Sequence, residues 1–197
     1  KEADYQTNFQ TGPYSSTNLG ELYKQVKNTG TFHITDYEYY APSGEAALFS
    51  AAPVYDGKEI IGIVAAQLST EQINNIMQES HGMGETGESY LVGTDYLMRS
   101  DSRFETESTI LEKRIETTGI KEAFNGEEVH DVYSDYRGAE VLGWAKEIEF
   151  DGHRWAMVAE IDSAEAFASA NQLQRLVYMI VGAAGVISAV AAYFLAN

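Results

Sequence analysis

The C-terminal end of the chain constrains its fold more than any other part. From Leu176 to the last residue there is no charged side chain. At about 1.5 Å per residue, a helix of this length crosses a hydrocarbon core of roughly 30 Å. Its C-terminal position excludes a secretory signal peptide, which lies at the N-terminus. The sequence therefore predicts one membrane-spanning helix, directly preceded by a folded module that faces water.

Charge and composition narrow the function of that module. All 30 acidic and 13 basic side chains precede Leu176, for a formal net charge of −17. Such a charge disfavours nucleic acid and anionic lipid headgroups as partners. There is no cysteine, the four histidines lack metal-ligand spacing, and no nucleophile elbow or phosphate-binding loop is present. We therefore expect no catalytic residue, no metal and no cofactor.

Two segments, residues 46–73 and 139–167, follow the same pattern. Each has an apolar strand, an Asp-Gly pair, a second apolar strand and a helix start. Asp-Gly between two such runs indicates a β-hairpin, because the turn requires positive φ. The matching aspartates, one upstream in an aromatic strand and one at the turn, are 95 positions apart in both pairs: Asp36 and Asp131, Asp56 and Asp151. We interpret the pattern as an internal duplication.

Each copy is predicted to contain a helix, three antiparallel strands and a second helix. The second copy has a further strand, turn and strand over residues 86–101, and a helical segment with apolar positions from Ile110 to Phe124. Ser69 and Gln72 have the spacing of a capping box. The first copy lacks room for the extra strands, so we expect its sheet to be short of strands and the chain to be a fragment.

Two stretches carry a family resemblance. Residues 82–93, running into 97–104, are similar to the entry of a membrane-proximal lobe, and residues 35–43 with 49–54 to the pocket strands of a distal lobe. The chain resembles the double Cache family, the PAS-like extracytoplasmic sensing modules of bacterial chemoreceptors, sensor kinases and cyclases. The first transmembrane helix, the long N-terminal helix and at least one distal strand of the family pattern are missing here.

The resemblance implies an α+β fold of two PAS-like lobes with antiparallel sheets, the distal lobe truncated at its N-terminus. The expected parts are a distal lobe over 1–80, a proximal lobe over 81–165, and a juxtamembrane and transmembrane helix over 166–197. One continuous helix is expected from Ser163 to about Ala196. The resemblance also implies a homodimer in the inner membrane, with the sensor domain in the periplasm and Asn197 reaching the cytoplasm.

The implied function is sensing of a small molecule, first of all by a methyl-accepting chemotaxis protein. A sensor histidine kinase or a nucleotide cyclase with the same input domain is the nearest alternative. A further alternative is a membrane-tethered binding domain without signalling output. Continuation of the gene beyond Asn197 separates these outcomes, because each output domain has its own helical pattern.

The first candidate site lies on the strand before the first hairpin. Strand alternation places Phe32, Ile34, Asp36, Glu38 and Tyr40 on one face, and the two apolar residues suggest that this face points inward. The carboxylates could then bind the amine of a metabolite, with the tyrosine ring as a cation–π wall. Alternatively, the strand bends near Asp36, whose side chain bonds a backbone amide while Glu38 reaches water.

The second candidate site follows the strand at residues 86–93. Arg99 could bind a ligand carboxylate through both arms of its guanidinium, with Asp101 in the same polar group of residues. Alternatively, the segment is a turn that Arg–Asp pairing stabilises. Trp144 either lines a pocket or belongs to the core. At the membrane, Arg175 is expected at the outer interface, and Tyr193 and Phe194 at the inner one.

Overall fold

The structure, a computed structural model, describes residues 3–196, without the side chains of residues 194 and 196. Two α/β units precede one long helix. The first unit, called the first lobe, consists of α1 (Asn18–Thr29), β1 (His33–Ile34), β2 (Glu38–Tyr40), β3 (Glu45–Ala47), β4 (Phe49–Asp56), β5 (Glu59–Gln67) and α2 (Thr70–Met77). The second lobe consists of β6 (Glu88–Gly93), α3 (Thr118–Phe124), β7 (Val129–Ser134), β8 (Glu140–Phe150) and β9 (His153–Asp162); α4 (Ser163–Ala166) and α5 (Ala168–Ala196) follow.

All strand pairs are antiparallel, as the sequence predicts. The first lobe has a three-stranded sheet in the order β1-β4-β5 and a separate β2-β3 hairpin. The second lobe has one four-stranded sheet in the order β6-β9-β8-β7. The predicted α+β class with two antiparallel sheets is confirmed.

The duplication is visible in the topology. Strands β1, β4 and β5 are paired in the same order as β7, β8 and β9, although the β2-β3 hairpin is inserted between β1 and β4. The β4-β5 and β8-β9 hairpins both turn at the predicted Asp-Gly pairs. Gly57 has a φ of 61° and Gly152 a φ of 82°, so glycine supplies the positive φ that these turns need. Strand β6 pairs with β9, whereas no strand among the described residues pairs with the corresponding edge of β5. The first sheet is therefore one strand shorter, as expected.

The predicted strand over residues 32–40 is interrupted. Ladder pairing stops after Ile34, because the next residue, Thr35, uses both its amide and its hydroxyl to bond Phe49 (2.8 and 3.0 Å). The alternation of faces is lost across this break. Phe32, predicted to point inward, is 60% exposed, whereas Thr35 and Tyr37 are buried. The prediction of one continuous inward face is therefore wrong.

The segment between β6 and α3 also differs from the prediction. Residues 97–98 form isolated bridges rather than a second strand, and the helix begins at Thr118, not near Ile110. The backbone of this segment instead folds across the sheet, with Met98 N bonded to Lys113 O (3.0 Å) and Ile115 N to Tyr96 O (2.7 Å). Ile110 and Ile115 are buried, as in the predicted helix, but they belong to an irregular loop that covers the core.

Helix capping differs between the two first-lobe helices. The Thr17 hydroxyl accepts a hydrogen bond from Gly20 N (3.2 Å), and Gly30 ends α1 with a φ of 68°. In α2, the predicted capping box is absent: the Ser69 side chain makes no cap bond, and Gln72 N bonds the Ser69 carbonyl instead. Of these two helices, α1 has a side-chain cap and α2 has none.

This difference gives a paired prediction. Replacing Thr17 by alanine should lower the free energy of unfolding by about 1 kcal/mol, because one N-terminal amide of α1 loses its acceptor. The matched change Ser69→Ala removes no cap bond and should alter it by less than about 0.5 kcal/mol. Urea denaturation of the two variants measures both. Equal losses would show that the hydroxyl of Thr17 does not cap α1.

The second sheet leads directly into the C-terminal helix. α4 follows β9 without a linker, and Phe167 N to Ser163 O (3.0 Å) and Asn171 N to Phe167 O (2.9 Å) continue the helical bonding into α5. The predicted continuous helix is thus interrupted at Phe167 alone. The 26 residues Ala168–Tyr193 are long and apolar enough to cross a membrane, and none is buried in the protein. The expectations for the Phe194 side chain and for Asn197 lie outside the described part of the chain.

Candidate functional site

An apolar cluster joins the two lobes. Tyr37 and Leu48 of the first lobe contact Leu91 and Trp155 of the second, and all four are buried. The rings of Tyr37 and Trp155 stack with centroids 6.1 Å apart and an interplanar angle of 17°. The lobes therefore share part of their core, so that a displacement of one lobe bears directly on the other.

Asp36 is the polar centre of this interface. Its carboxylate accepts hydrogen bonds from Arg99 Nε (2.8 Å) and Nη2 (3.0 Å), from Trp155 Nε1 (2.9 Å) and from Tyr37 N (2.7 Å). These four donors belong to the protein, so Asp36 already has partners for its charge. The bond from the Tyr37 amide agrees with the alternative prediction for Asp36, in which its side chain bonds a backbone amide. Arg99 and Asp36, predicted as two separate sites, form one contact.

Arg99 lies almost completely inside the protein. Its side chain is 4% exposed, and it also bonds Asp95 Oδ2 (3.0 Å) and the Leu97 carbonyl (2.9 Å). Burial by itself would lower the pKa of the guanidinium, but the hydrogen bonds that it donates to Asp36 and Asp95 outweigh burial and raise that pKa. The guanidinium is therefore a fixed cation between the lobes.

The other two residues predicted on the same strand are separated from Asp36. Glu38 is exposed and pairs with Ala47, so the prediction that it enters the interior is wrong. Tyr40 is 1% exposed; its hydroxyl donates to Asp4 Oδ2 (2.5 Å) and its ring contacts Phe49 edge-on. The three side chains do not line one cavity, because the chain bends between them.

Asp101 connects α2 to the second lobe. It accepts hydrogen bonds from Asn74 Nδ2 (2.6 Å), Ser108 Oγ (2.7 Å) and Thr109 N (2.8 Å), and its own amide donates to Asn74 Oδ1 (2.8 Å). The alternative prediction of a turn stabilised by Arg–Asp pairing does not hold for Asp101, because its partners are uncharged and Arg99 pairs with Asp36 and Asp95 instead. Asp101 and Arg99 are neighbours in sequence but bond different parts of the first lobe.

The two tryptophans have different environments. Trp144 on β8 is half-buried and donates to Glu128 Oε1 (3.0 Å) on the surface. Trp155, which the sequence analysis did not select, occupies the interface with Asp36. The Asp-Gly turn could have indicated it, because the hairpin register places Trp155 opposite Ile148, close to the tip of the hairpin.

The tip of that hairpin contacts the first lobe through Asp151. Its carboxylate bonds His33 Nδ1 (2.9 Å) and accepts from Ile34 N (2.8 Å), while His153 Nε2 lies 3.1 Å from the Ile34 carbonyl. Burial would raise the pKa of Asp151, but the bonds from Ile34 and His33 lower it overall. Asp151 is thus held as an anion against β1, at a further polar contact between the lobes.

A small cavity lies in the first lobe between α1 and the sheet. It has a volume of about 110 Å³ and is lined by Phe9, Leu19, Tyr23, Ala51, Ile63 and Ala65. Ala51 and Ala65 are directly paired across β4 and β5, and their short side chains leave this space open. Ala51 also belongs to the buried cluster that contains Tyr40, whose hydroxyl bonds the carboxylate of Asp4. The cavity has the size and the lining for a small apolar group. The carboxylate of Asp4 is bonded to the core beside it.

A larger groove lies between the lobes. Its volume is about 520 Å³, and its walls are the β2-β3 hairpin with Tyr39 and Glu45, and the second-lobe loop with Ser108 and Glu112. No group of three histidine, aspartate or glutamate side chains within the described residues could hold a metal ion.

Comparison with solved structures decides the fold. The periplasmic sensory domain of the Campylobacter jejuni chemoreceptor Tlp1 aligns with a TM-score of 0.56 and 14% identity, over 75% of this chain and 56% of that one. The ligand-binding domain of the Pseudomonas aeruginosa amino acid chemoreceptor PctB, in complex with L-Arg, aligns with a TM-score of 0.54 and 17% identity, over 85% and 65%. This is the fold of a chemoreceptor sensory domain.

The sensory-domain fold extends to further receptors. The ligand-binding domain of the Pseudomonas fluorescens chemoreceptor CtaA, in complex with L-alanine, aligns with a TM-score of 0.53 and 17% identity, over 85% of this chain and 66% of that one. The chain spans between about half and two thirds of the length of these domains. No protein-family model matches the sequence, and a search of curated proteins finds no match. The resemblance to Cache sensor domains is confirmed in the fold.

Proposed function

We propose that this chain is the extracytoplasmic sensing part of a transmembrane chemoreceptor, a sensor rather than an enzyme. The observation that carries the proposal is the direct continuation of β9 through α4 into the apolar helix α5. A strand in the centre of a sensory sheet thereby moves together with the membrane helix. The chemoreceptor fold supports the same function.

The ligand is a small metabolite with an amine or a carboxylate, and amino acids are the first class to test. PctB and CtaA, which share this fold, are recorded with L-Arg and L-alanine. We place the apolar part of the ligand in the first-lobe cavity, beside the core that contains Tyr40. Asp36, Arg99 and Asp101, each held by protein partners, then transmit a change between the lobes instead of contacting the ligand.

A cavity-filling pair tests this assignment. A saturating amino acid at about 100 times its Kd should raise the free energy of unfolding by about 2.7 kcal/mol. In a protein of this size, that corresponds to a Tm increase of about 5–10 °C. Ala65→Leu fills the cavity and should abolish the increase. Both positions are exposed, but Ala66 lies on the opposite face of β5 and does not line the cavity, so Ala66→Leu adds the same volume and should preserve the increase.

The experiment is a thermal-shift screen of the L-amino acids against the full chain in detergent micelles. Equal shifts in the two leucine variants would place the ligand outside the cavity. The absence of a shift with every amino acid would contradict the proposed ligand class.

The membrane topology follows from the same proposal. A reporter fused after residue 197 should be active as a cytoplasmic enzyme and inactive as a phosphatase that requires export. The same phosphatase inserted at Gly126, an exposed turn of the second lobe, should be active. Phosphatase activity at residue 197 would reverse the orientation and contradict the receptor mechanism.

A further inference from the structure

Two glutamates face each other inside the second lobe. Glu88 on β6 and Glu160 on β9 are directly paired across the sheet, and their exposed fractions are 0% and 2%. Both side chains are on the face that packs against the core under α3, next to Tyr90, Val158 and Tyr133. Burial of two carboxylates at one point of a core is costly unless one of them holds a proton.

Glu88 has a complete set of neutral donors. It accepts hydrogen bonds from Ser102 Oγ (2.5 Å), Tyr136 OH (2.7 Å) and Arg103 N (3.0 Å). The Glu88 carboxylate thus has three hydrogen-bond donors at normal bonding distances. The ring of Tyr136 is in turn covered by Lys113 Nζ at 4.8 Å from the ring centroid.

Glu160 has fewer and longer contacts. It accepts from Tyr90 OH (3.2 Å) and Tyr133 OH (3.3 Å), and no lysine or arginine among the described residues forms a salt bridge with it or with Glu88. The nearby guanidinium groups have other partners. Arg137 pairs with Asp135 and Asp162, and Arg103 bonds the carbonyls of Gly87 and Glu85.

The other elements packed against this face bring no charge that balances the pair. β8 contributes Val141 and Ala145, and α3 contributes Ile120 and Ala123. Asp135, after β7, adds a third carboxylate, although Arg137 is bonded to it at 2.6 Å. Of the acidic groups around this core, Glu160 is therefore the one with the least support for a negative charge.

The packing fixes the tyrosine that bonds Glu160. A Cβ at Gly143 would lie 2.3 Å from Tyr133 OH, and a Cβ at Gly119 would lie 2.8 Å from its ring. Only glycine at these two positions lets the ring occupy this place. Because the ring is held on both sides, the hydroxyl oxygen of Tyr133 stays beside Glu160 when the charge on Glu160 changes.

These surroundings act on the proton affinity of Glu160. Burial, followed by the charges of Asp135 and Glu88, raises the pKa of Glu160 to about 7, although the bonds from Tyr90 and Tyr133 act in the opposite direction. Burial also raises the pKa of both tyrosines, so they remain donors throughout this range. Glu160 therefore changes charge near neutral pH.

We propose that the Glu88–Glu160 pair is a proton-operated switch, by which the second lobe reports the pH of its compartment as an input separate from the ligand of the first lobe. When the proton leaves Glu160 for solvent, two carboxylates repel each other between β6 and β9. β9 ends at Asp162, two residues after Glu160, and α4 begins at Ser163. Displacement of β9 is thus passed to the membrane helix.

The switch is tested on the full chain in detergent micelles without any ligand, so the result is independent of the proposed amino-acid site. Carbon-13 NMR of labelled glutamate side chains follows each carboxyl group. One signal should titrate near neutral pH and disappear in Glu160→Gln. Glu88→Gln removes the facing charge and should lower the midpoint of that signal by about one pH unit.

A second measurement tests the coupling to the helix. The chain has no cysteine, so Gln174→Cys provides a single labelling position in α5. The mobility of a spin label there should change between about pH 5 and pH 8.5. Glu160→Gln, which resembles the protonated form, should remove this change, and the exposed Glu149→Gln on the same sheet should leave it intact. Titration of Glu160 together with exposed glutamates, or a label response that persists in Glu160→Gln, would overturn the proposal.

Discussion

Replacing Asp36 with alanine should lower the free energy of unfolding by about 3 kcal/mol. The change removes three side-chain hydrogen bonds at the interface of the lobes, two from Arg99 and one from Trp155. The Arg99 guanidinium then stays buried with Asp95 as its remaining carboxylate partner. We expect a value at the lower end of the range for broken buried pairs, because Asp95 keeps part of the charge balanced.

Urea denaturation measures this loss, with tryptophan fluorescence recorded in a Trp144→Phe background so that Trp155 at the interface is the one tryptophan left. Glu21→Ala is the matched control, since it removes one carboxylate from the exposed pair with Lys24 and should cost only about 0.5 kcal/mol. Similar losses in both variants would mean that the Asp36–Arg99 pair does not hold the lobes together. A ligand-induced thermal shift that survives Asp36→Ala would support its role as an interface residue.

The second large effect is a pH dependence of stability that depends on Glu160. Below its ordinary pKa of 4.5, the carboxyl is protonated in the folded and the unfolded chain alike. As the pH rises, the unfolded chain loses its proton first, because the folded pKa is about 7. Stability therefore falls across this interval, by about 3 kcal/mol in total, and is constant again above it.

Glu160→Gln should remove this fall. As the pH rises from about 4.5 to somewhat above 7, the free energy of unfolding of the variant should gain about 3 kcal/mol relative to that of the natural chain. Denaturation midpoints across the pH range check the result, with Glu149→Gln as an exposed control that should follow the natural chain. Parallel curves for Glu160→Gln and the natural chain would show that this carboxyl has an ordinary pKa.

Several features of the protein could be obtained from the sequence because they depend on neighbouring residues. The Asp-Gly pairs determine both hairpins, since only a turn with positive φ joins such apolar runs. The spacing of apolar residues and the glycine at position 30 determine α1. The uncharged C-terminal run determines α5, and the repeated order of elements determines the two lobes and the missing pairing at β5.

The tertiary structure decided the roles of the polar residues. Asp36 and Arg99 are 63 positions apart, and only the packing of the lobes brings their side chains into contact. β1 ends at Ile34 because both the hydroxyl and the amide of Thr35 bond Phe49. Beyond this break the alternation of faces is lost, and Glu38 is exposed whereas Tyr40 is buried. Glu160 and Glu88 became recognisable as a pair through the register of β6 and β9. Sequence patterns report local geometry, whereas the partner of a charge depends on contacts between distant segments.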